Sequence, residues 1–93
     1  PDAEPELRTR VQPDYPPSAY RDRVQGTVLV GIQVRADGRV GEVDVVRHSG
    51  SRELDRAAVD AVKQWTFEPA VRGGQRVEAR VEVPVTFRID EPR

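Results

Sequence analysis

The chain has no cysteine and no methionine, and only one histidine and one tryptophan in 93 residues. Without thiols it forms no disulfide, no thiolate nucleophile and no zinc–thiolate centre, and it carries no redox hint of compartment. Excess charge of either sign is also missing: 15 Lys+Arg against 16 Asp+Glu leave a net charge of −1 at pH 7. Binding to a phosphate backbone needs a cationic surplus, so nucleic acid is not an expected partner. No long apolar run is present. The longest, about Val28 to Ile32, falls far short of the ~18 residues a membrane span requires. The opening residues do not read charged-then-apolar, so no signal peptide is expected. The first residue is Pro rather than Met, which leads us to expect an excised or processed piece of something longer. A hydrophobic share of 37% supports one small core, and a domain of this size is only marginally stable from burial alone.

Proline is concentrated at the start, at Pro1, Pro5, Pro13, Pro16 and Pro17. Between Pro1 and Arg10 the apolar residues are Ala3 and Leu7 only, too few for a core, and proline extends such a segment toward polyproline II. Residues 1–10 are therefore expected to be the end of a Pro-rich linker, residues 11–90 a folded domain, and residues 91–93 a tail. Pro16-Pro17 can open a helix over Ser18 to Val24, because a missing N–H costs nothing in a first turn. Gly26 is placed to cap that helix.

Thr27 to Arg35 reads as a strand, with Val28, Val30, Ile32 and Val34 on one face. Asp37-Gly38 signals a hairpin, and Val40 to Arg47 is the return strand. A two-residue turn sets Ile32 against Val43, Val30 against Val45, Gln33 against Glu42 and Leu29 against Val46. The rival, a three-residue loop with a bulge at Gly38, would set Ile32 against Glu42. Ser51 is a plausible N-cap. The stripe Leu54, Ala57, Ala58, Ala61, Val62 and Trp65 then marks the buried face of a second helix, which Pro69 must end. Gly73-Gly74 is a loop or turn. From Val77 to Ile89 odd positions are apolar and even positions are not, which predicts a long strand with one face in water.

The element order is helix, strand, strand, helix, strand. Pro84 has no N–H to give to a ladder, so the last strand belongs at an edge with its nitrogen facing outward. That placement gives strand order 2-1-3 with a right-handed crossover. The expected fold is α+β: a two-layer sandwich in which two helices cover one face of a three-stranded antiparallel sheet. With Pro84 fixing the phase, Glu78, Arg80, Glu82, Thr86 and Arg88 direct their main-chain groups to the free edge. Their charged or hydroxylated side chains protect it from indiscriminate pairing, yet an extended peptide can add there.

Catalytic chemistry finds little support. His48 is the sole histidine, and neither Ser49 nor Ser51 sits in a nucleophile elbow. Asp55 and Asp60 fall on the polar side of the second helix and read as solvated. Glu42 with Asp44 is too thin a basis for a metal. Gly73-Gly74 lacks the Lys-Ser/Thr of a phosphate loop. Trp65 has the phase of a core residue. We expect no enzyme, no metal and no cofactor, and we expect a domain that binds another chain.

An ordered set of short motifs points the same way. Gln12-Pro13-Asp14-Tyr15-Pro16 opens the domain, Gly26-Thr27-Val28 starts the first strand and Asp37-Gly38-Arg39-Val40 makes the turn. Ser49-Gly50-Ser51, Leu54-Asp55 and Ala57-Ala58 lead into Trp65-Thr66-Phe67-Glu68-Pro69-Ala70, and Val83-Pro84-Val85-Thr86-Phe87 closes it. In this order and spacing the set resembles the TonB C-terminal domain family, over roughly residues 12–89.

The resemblance implies a periplasmic domain of an energy transducer anchored in the inner membrane by an N-terminal helix outside this piece. It implies as partners the TonB box of outer-membrane transporters, added as a strand, and the proton-driven inner-membrane motor that powers active uptake such as siderophore transport. Carried over residue by residue, Gln12, Pro13, Tyr15 and Pro16 would contact the transporter, and Glu78, Arg80, Glu82, Pro84, Thr86 and Arg88 would form the receiving edge. An alternative of another class is an envelope scaffold domain that self-associates, for instance as a homodimer, or binds another partner through that edge.

Overall fold

Alternation in the first and last expected strands brings Val28, Val30, Ile32 and Val34 together with Val85 and Phe87 on one face of one sheet. The computed structural model describes residues 2–90; Pro1 and the expected tail, residues 91–93, lie outside them. Along the chain run β1 (Glu6–Thr9), α1 (Pro17–Arg21), β2 (Gly26–Val34), β3 (Val40–Arg47), α2 (Arg52–Val62), β4 (Thr66–Glu68), β5 (Ala70–Arg72), β6 (Gln75–Val77) and β7 (Ala79–Phe87). The main sheet is antiparallel with order β3-β2-β7, the expected 2-1-3. Val28, Val30, Ile32 and Val34 of β2 form one buried cluster with Val85 and Phe87 of β7, Ala19 of α1, and Leu54, Ala58 and Val62 of α2. Both helices therefore cover the same face.

Four short strands were not foreseen. β1 pairs with β4 and β5 with β6, each as a two-stranded antiparallel sheet. Gly73 and Gly74, with φ of 59° and 79°, make the tight β5–β6 turn. The long strand expected over Val77–Ile89 is broken at Glu78, and β7 proper ends at Phe87. Residues expected as an extended linker end are also hydrogen-bonded. Glu6 to Thr9 form β1, and Ala3 bridges Val71.

The hairpin between β2 and β3 is not the two-residue turn. The Gly38 N–H donates to the Arg35 carbonyl and the Arg35 N–H to the Arg39 carbonyl, both at 2.8 Å. The loop is thus Ala36-Asp37-Gly38, with Gly38 at φ 89°. Ile32 still faces Val43 and Val30 still faces Val45. A bulge restores the phase: Gly41 and Glu42 together oppose Gln33, whose side-chain oxygen accepts from the Glu42 N–H at 2.9 Å. A second irregularity at Val46 sets Leu29 against Arg47 rather than Val46. Burial of the β2 face thus outweighs turn preference in fixing register.

α1 is shorter than expected. Arg23, at φ 57°, takes the left-handed cap position. The Val24 N–H reaches the Ala19 carbonyl at 2.8 Å and the Arg23 N–H the Tyr20 carbonyl at 3.1 Å, closing a Schellman motif. Gly26 instead begins β2. In α2, Ser51 is the N-cap and accepts from the Leu54 N–H at 3.3 Å. The helix ends at Val62, but Gln64 and Trp65 continue as a tighter turn through N–H bonds to Ala61 and Val62 at 3.0 Å. That turn keeps Trp65 on the buried stripe.

Gly38 also anchors the next segment, because its carbonyl accepts from the Phe67 N–H at 2.8 Å. A Cβ on Gly38 would lie 2.2 Å from the Phe67 carbonyl oxygen, whereas one on Gly73 meets nothing within 4 Å. Gly38→Ala is expected to cost about 2–3 kcal/mol, from left-handed strain plus displaced backbone. Gly73→Ala should cost about 1 kcal/mol, from the left-handed conformation alone. Urea unfolding of the two variants checks the difference.

Candidate functional site

β7 is registered against β2 without a break, from Gly26↔Phe87 to Val34↔Ala79. Among the described residues its other side has no strand neighbour. Val85 and Phe87 are buried and Val81 and Val83 half-buried, while Arg80, Glu82, Pro84 and Thr86 are exposed on the sheet's open face. Pro84 sits opposite Leu29.

The side chains on that face are largely committed to one another. Arg80 crosses β2 to reach β3, donating to both Asp44 carboxylate oxygens at 2.7 and 3.0 Å. It passes over Gly31, where a Cβ would lie 2.2 Å from its guanidinium. The hydrogen bond from Arg80 holds the Asp44 carboxyl below the usual carboxylate range, outweighing the opposing effect of partial burial. Gln33 donates to Glu78 while it accepts from the β3 bulge. Thr27 and Thr86 hydroxyls meet at 3.1 Å. Of the edge residues expected from sequence, Arg80, Glu82, Pro84 and Thr86 lie in β7, whereas Glu78 precedes it and Arg88 follows it. Beyond Phe87, the Ile89 N–H is held by the Gln25 side chain at 2.8 Å. Gln33 lies on this face beside Glu42, as the sequence sets it, and Asp44 shares the strand face of Glu42; the bridge from Arg80 over Gly31 to Asp44 was missed. Its signal was a glycine at an outward position of β2, beside an outward acid on one neighbour and an outward Arg on the other.

The opening motif forms a second group. The Tyr15 hydroxyl donates to the Val24 carbonyl. Its ring stands edge-on to both Tyr20 and Phe87, with centroids at 5.4 Å. The Phe87 contact joins this group to the end of β7. Gln12, Tyr15 and Pro16 line a groove of about 870 Å³ with Arg56, Asp60 and Gln64 of α2. Pro13 is half-buried and outside that lining. On the groove's α2 side the sequence marks Asp60 as a solvated carboxylate and Ala57 and Ala61 as part of the apolar stripe, whereas the exposed Arg56 and Gln64 carry no periodic mark.

Asp55 departs from its expected place on a solvated face; it is 8% exposed. The corner before α2 folds over it. Asp55 accepts from the Ser49 N–H at 2.9 Å and the Ser49 hydroxyl at 2.8 Å, and its other oxygen meets His48 Nδ1 at 2.7 Å. Ser49 gives its proton to the carboxylate and not to the imidazole, so the three residues form a corner brace rather than a nucleophile and base. Asp60, as expected, is exposed. Trp65 is buried in the core, as its phase predicted, and its indole N–H donates to the Val11 carbonyl at 2.9 Å.

Residues 11–89 match the family described as Gram-negative bacterial TonB protein C-terminal. The chain is 45% identical over 78 residues to Protein TonB of Xanthomonas campestris pv. campestris, which covers 84% of this chain and 35% of that protein. It is 44% identical over 78 residues to Protein tonB2 of Pseudomonas aeruginosa, covering 84% and 29%. The chain thus spans about a third of the length of the curated relatives it matches. A solution NMR structure of Pseudomonas aeruginosa TonB CTD superposes with a TM-score of 0.79 at 30% identity, covering 99% of this chain and 93% of that one. Helicobacter pylori TonB-CTD shares the fold, with a TM-score of 0.62 at 23% identity over 85% of this chain and 71% of that one.

Burial raises the Asp55 pKa, but the bonds from Ser49 and His48 outweigh it and hold the carboxyl below its ordinary value. A group depressed on folding stabilises the fold above its unfolded pKa, ~3.9 for Asp, and that contribution is lost as pH falls through the lower folded value. Stability is therefore expected to decline below about pH 4. In Asp55→Asn that part of the decline should disappear, with stability at neutral pH lower by about 1–3 kcal/mol. Denaturant unfolding across pH 2–7, a range chosen around the unfolded value, reads both effects.

Proposed function

The chain belongs to the Gram-negative bacterial TonB C-terminal family, and from that membership we propose that it is the periplasmic domain of an energy transducer that binds outer-membrane transporters by strand addition. In this reading the TonB box of a transporter lies along β7. An N-terminal helix outside this chain anchors the full-length protein in the inner membrane, where it couples to a proton-driven motor for active uptake. Gln12, Pro13, Tyr15 and Pro16 form a second contact with the transporter. No step in this role is catalytic.

The observation that carries the reading is the contrast between the sheet's two borders. β7 offers nine consecutive residues in unbroken register, whereas β3 is kinked by irregularities near Gly41 and Val46. A guest strand needs a straight row of main-chain donors and acceptors, and bulges deny it one. The tethering of Arg80 to Asp44, of Thr86 to Thr27 and of Glu78 to Gln33 leaves recognition to the main chain. Such recognition depends little on guest sequence, which suits one adaptor serving several transporters. Pro84 removes one donor from the row, a loss of ~0.5–1.5 kcal/mol. Many bonds loaded together also resist a pull better than bonds peeled one at a time.

The same border favours a second use, pairing between two copies. Sedimentation of the domain with and without a synthetic TonB-box peptide separates the readings. A monomer that takes up peptide supports the adaptor, and a dimer indifferent to peptide supports a scaffold.

With Pro84 fixing the phase, Glu82 also directs its N–H outward. Glu82→Pro is expected to weaken peptide binding by about tenfold or more, with a native-like amide NMR spectrum, while Glu82→Ala binds within about threefold of the parent. Native affinity in Glu82→Pro would remove β7 as the receiving edge.

A further inference from the structure

The first residues of the described chain make contacts that differ in kind from the rest of the fold. Among the described residues, no hydrophobic side chain before Val11 is part of the buried core cluster or of the half-buried set packed against it. All four residues of β1 are exposed. Its ladder with β4 is short and shifts register between Leu7 and Thr9. Glu6 stands directly opposite Glu68, an arrangement that weakens a pair of strands, and the Arg8–Glu68 contact that offsets it is long, at 3.8 Å, and exposed.

Besides the short β1–β4 ladder, the side-chain hydrogen bonds that hold this segment are at its far end, on the β5–β6 hairpin. Ala3 and Val71 exchange two main-chain bonds at 2.9 Å. One Arg72 nitrogen donates to the Ala3 carbonyl at 2.9 Å, and the other donates to Glu4 at 2.8 and 3.3 Å. Asp2 accepts from the Gly73 N–H at 2.9 Å. Immediately after β1 the character changes. The Arg10 guanidinium lies 5.4 Å from the Trp65 ring centroid, and the buried Trp65 indole holds the Val11 carbonyl.

We propose that residues 2–9 are a detachable strap, with Arg72 as the clasp that sets its release and the Trp65–Val11 latch as the point where detachment stops. When the strap opens, it bares the outer sides of β4 and β5 and leaves the core intact. A pull applied through the N-terminal side peels the strap toward Thr9 and then meets the buried latch. Eight residues at ~3.3–3.6 Å each add about 28 Å of contour to whatever tether precedes them. The proposal rests on this geometry and does not depend on what occupies β7.

Native-state amide exchange on the whole chain tests it, because local opening shows as fast exchange without global unfolding. The Val71 amide, bonded to Ala3, is expected to exchange about 100-fold faster than the central amides of β2. Arg72→Ala should speed it by a further factor of about ten, with β6 amides and the midpoint of thermal unfolding unmoved. The proposal is overturned if Val71 is as protected as β2, or if Arg72→Ala leaves Val71 exchange unchanged. It is equally overturned if the substitution speeds exchange across β2 and β6 alike, since the segment would then be part of the global fold.

Discussion

An unbroken antiparallel ladder ties β7 to β2, and β7 commits its odd-numbered side chains to the core. Slipping the strand by one residue would turn Val85 and Phe87 into water and Thr86 into the core. Register is therefore fixed by burial. Fixing the register also fixes which main-chain groups look outward. The proposed receiving edge is a by-product of core packing: the same alternation that builds the hydrophobic layer under α1 and α2 aligns the outer row of donors and acceptors.

The opposite face of the sheet is ordered by different means. Among the described residues no layer covers it, and its side chains pair laterally. The Arg80–Asp44 bridge runs across all three strands, and its path exists because position 31 has no side chain. Exposed pairs of this kind contribute little stability. Their effect is positional, since they keep long charged side chains lying on the sheet and out of the plane of the border.

Much of this was legible in the residues. Alternating valines marked both long strands, Pro84 put β7 at an edge, and Ser51 with the alanine-rich stripe placed α2. Three features were hidden. The hairpin loop was misjudged because the bulge at Gly41-Glu42, supported by Gln33, restores a pairing that a three-residue turn alone would have lost. The burial of Asp55 follows from a corner, Ser49-Gly50-Ser51, whose bonds to Asp55 join residues six or seven apart and fit neither helix nor strand periodicity. β1 escaped notice because its partner, β4, lies about sixty residues away, and its own four residues, Glu-Leu-Arg-Thr, are too few to show a pattern. Helix phase and strand alternation are periodic signals; bulges, corners and distant pairings are not.

The two kinks in β3 have a consequence for how copies of this domain can meet. A sheet with two receptive borders can grow without limit, each added molecule offering a fresh border to the next. Here one border is bent and the other is straight. Two molecules joined through their straight borders would be related by a two-fold axis, and each would then present only its bent side. Assembly by that route closes at a pair and cannot propagate into a filament.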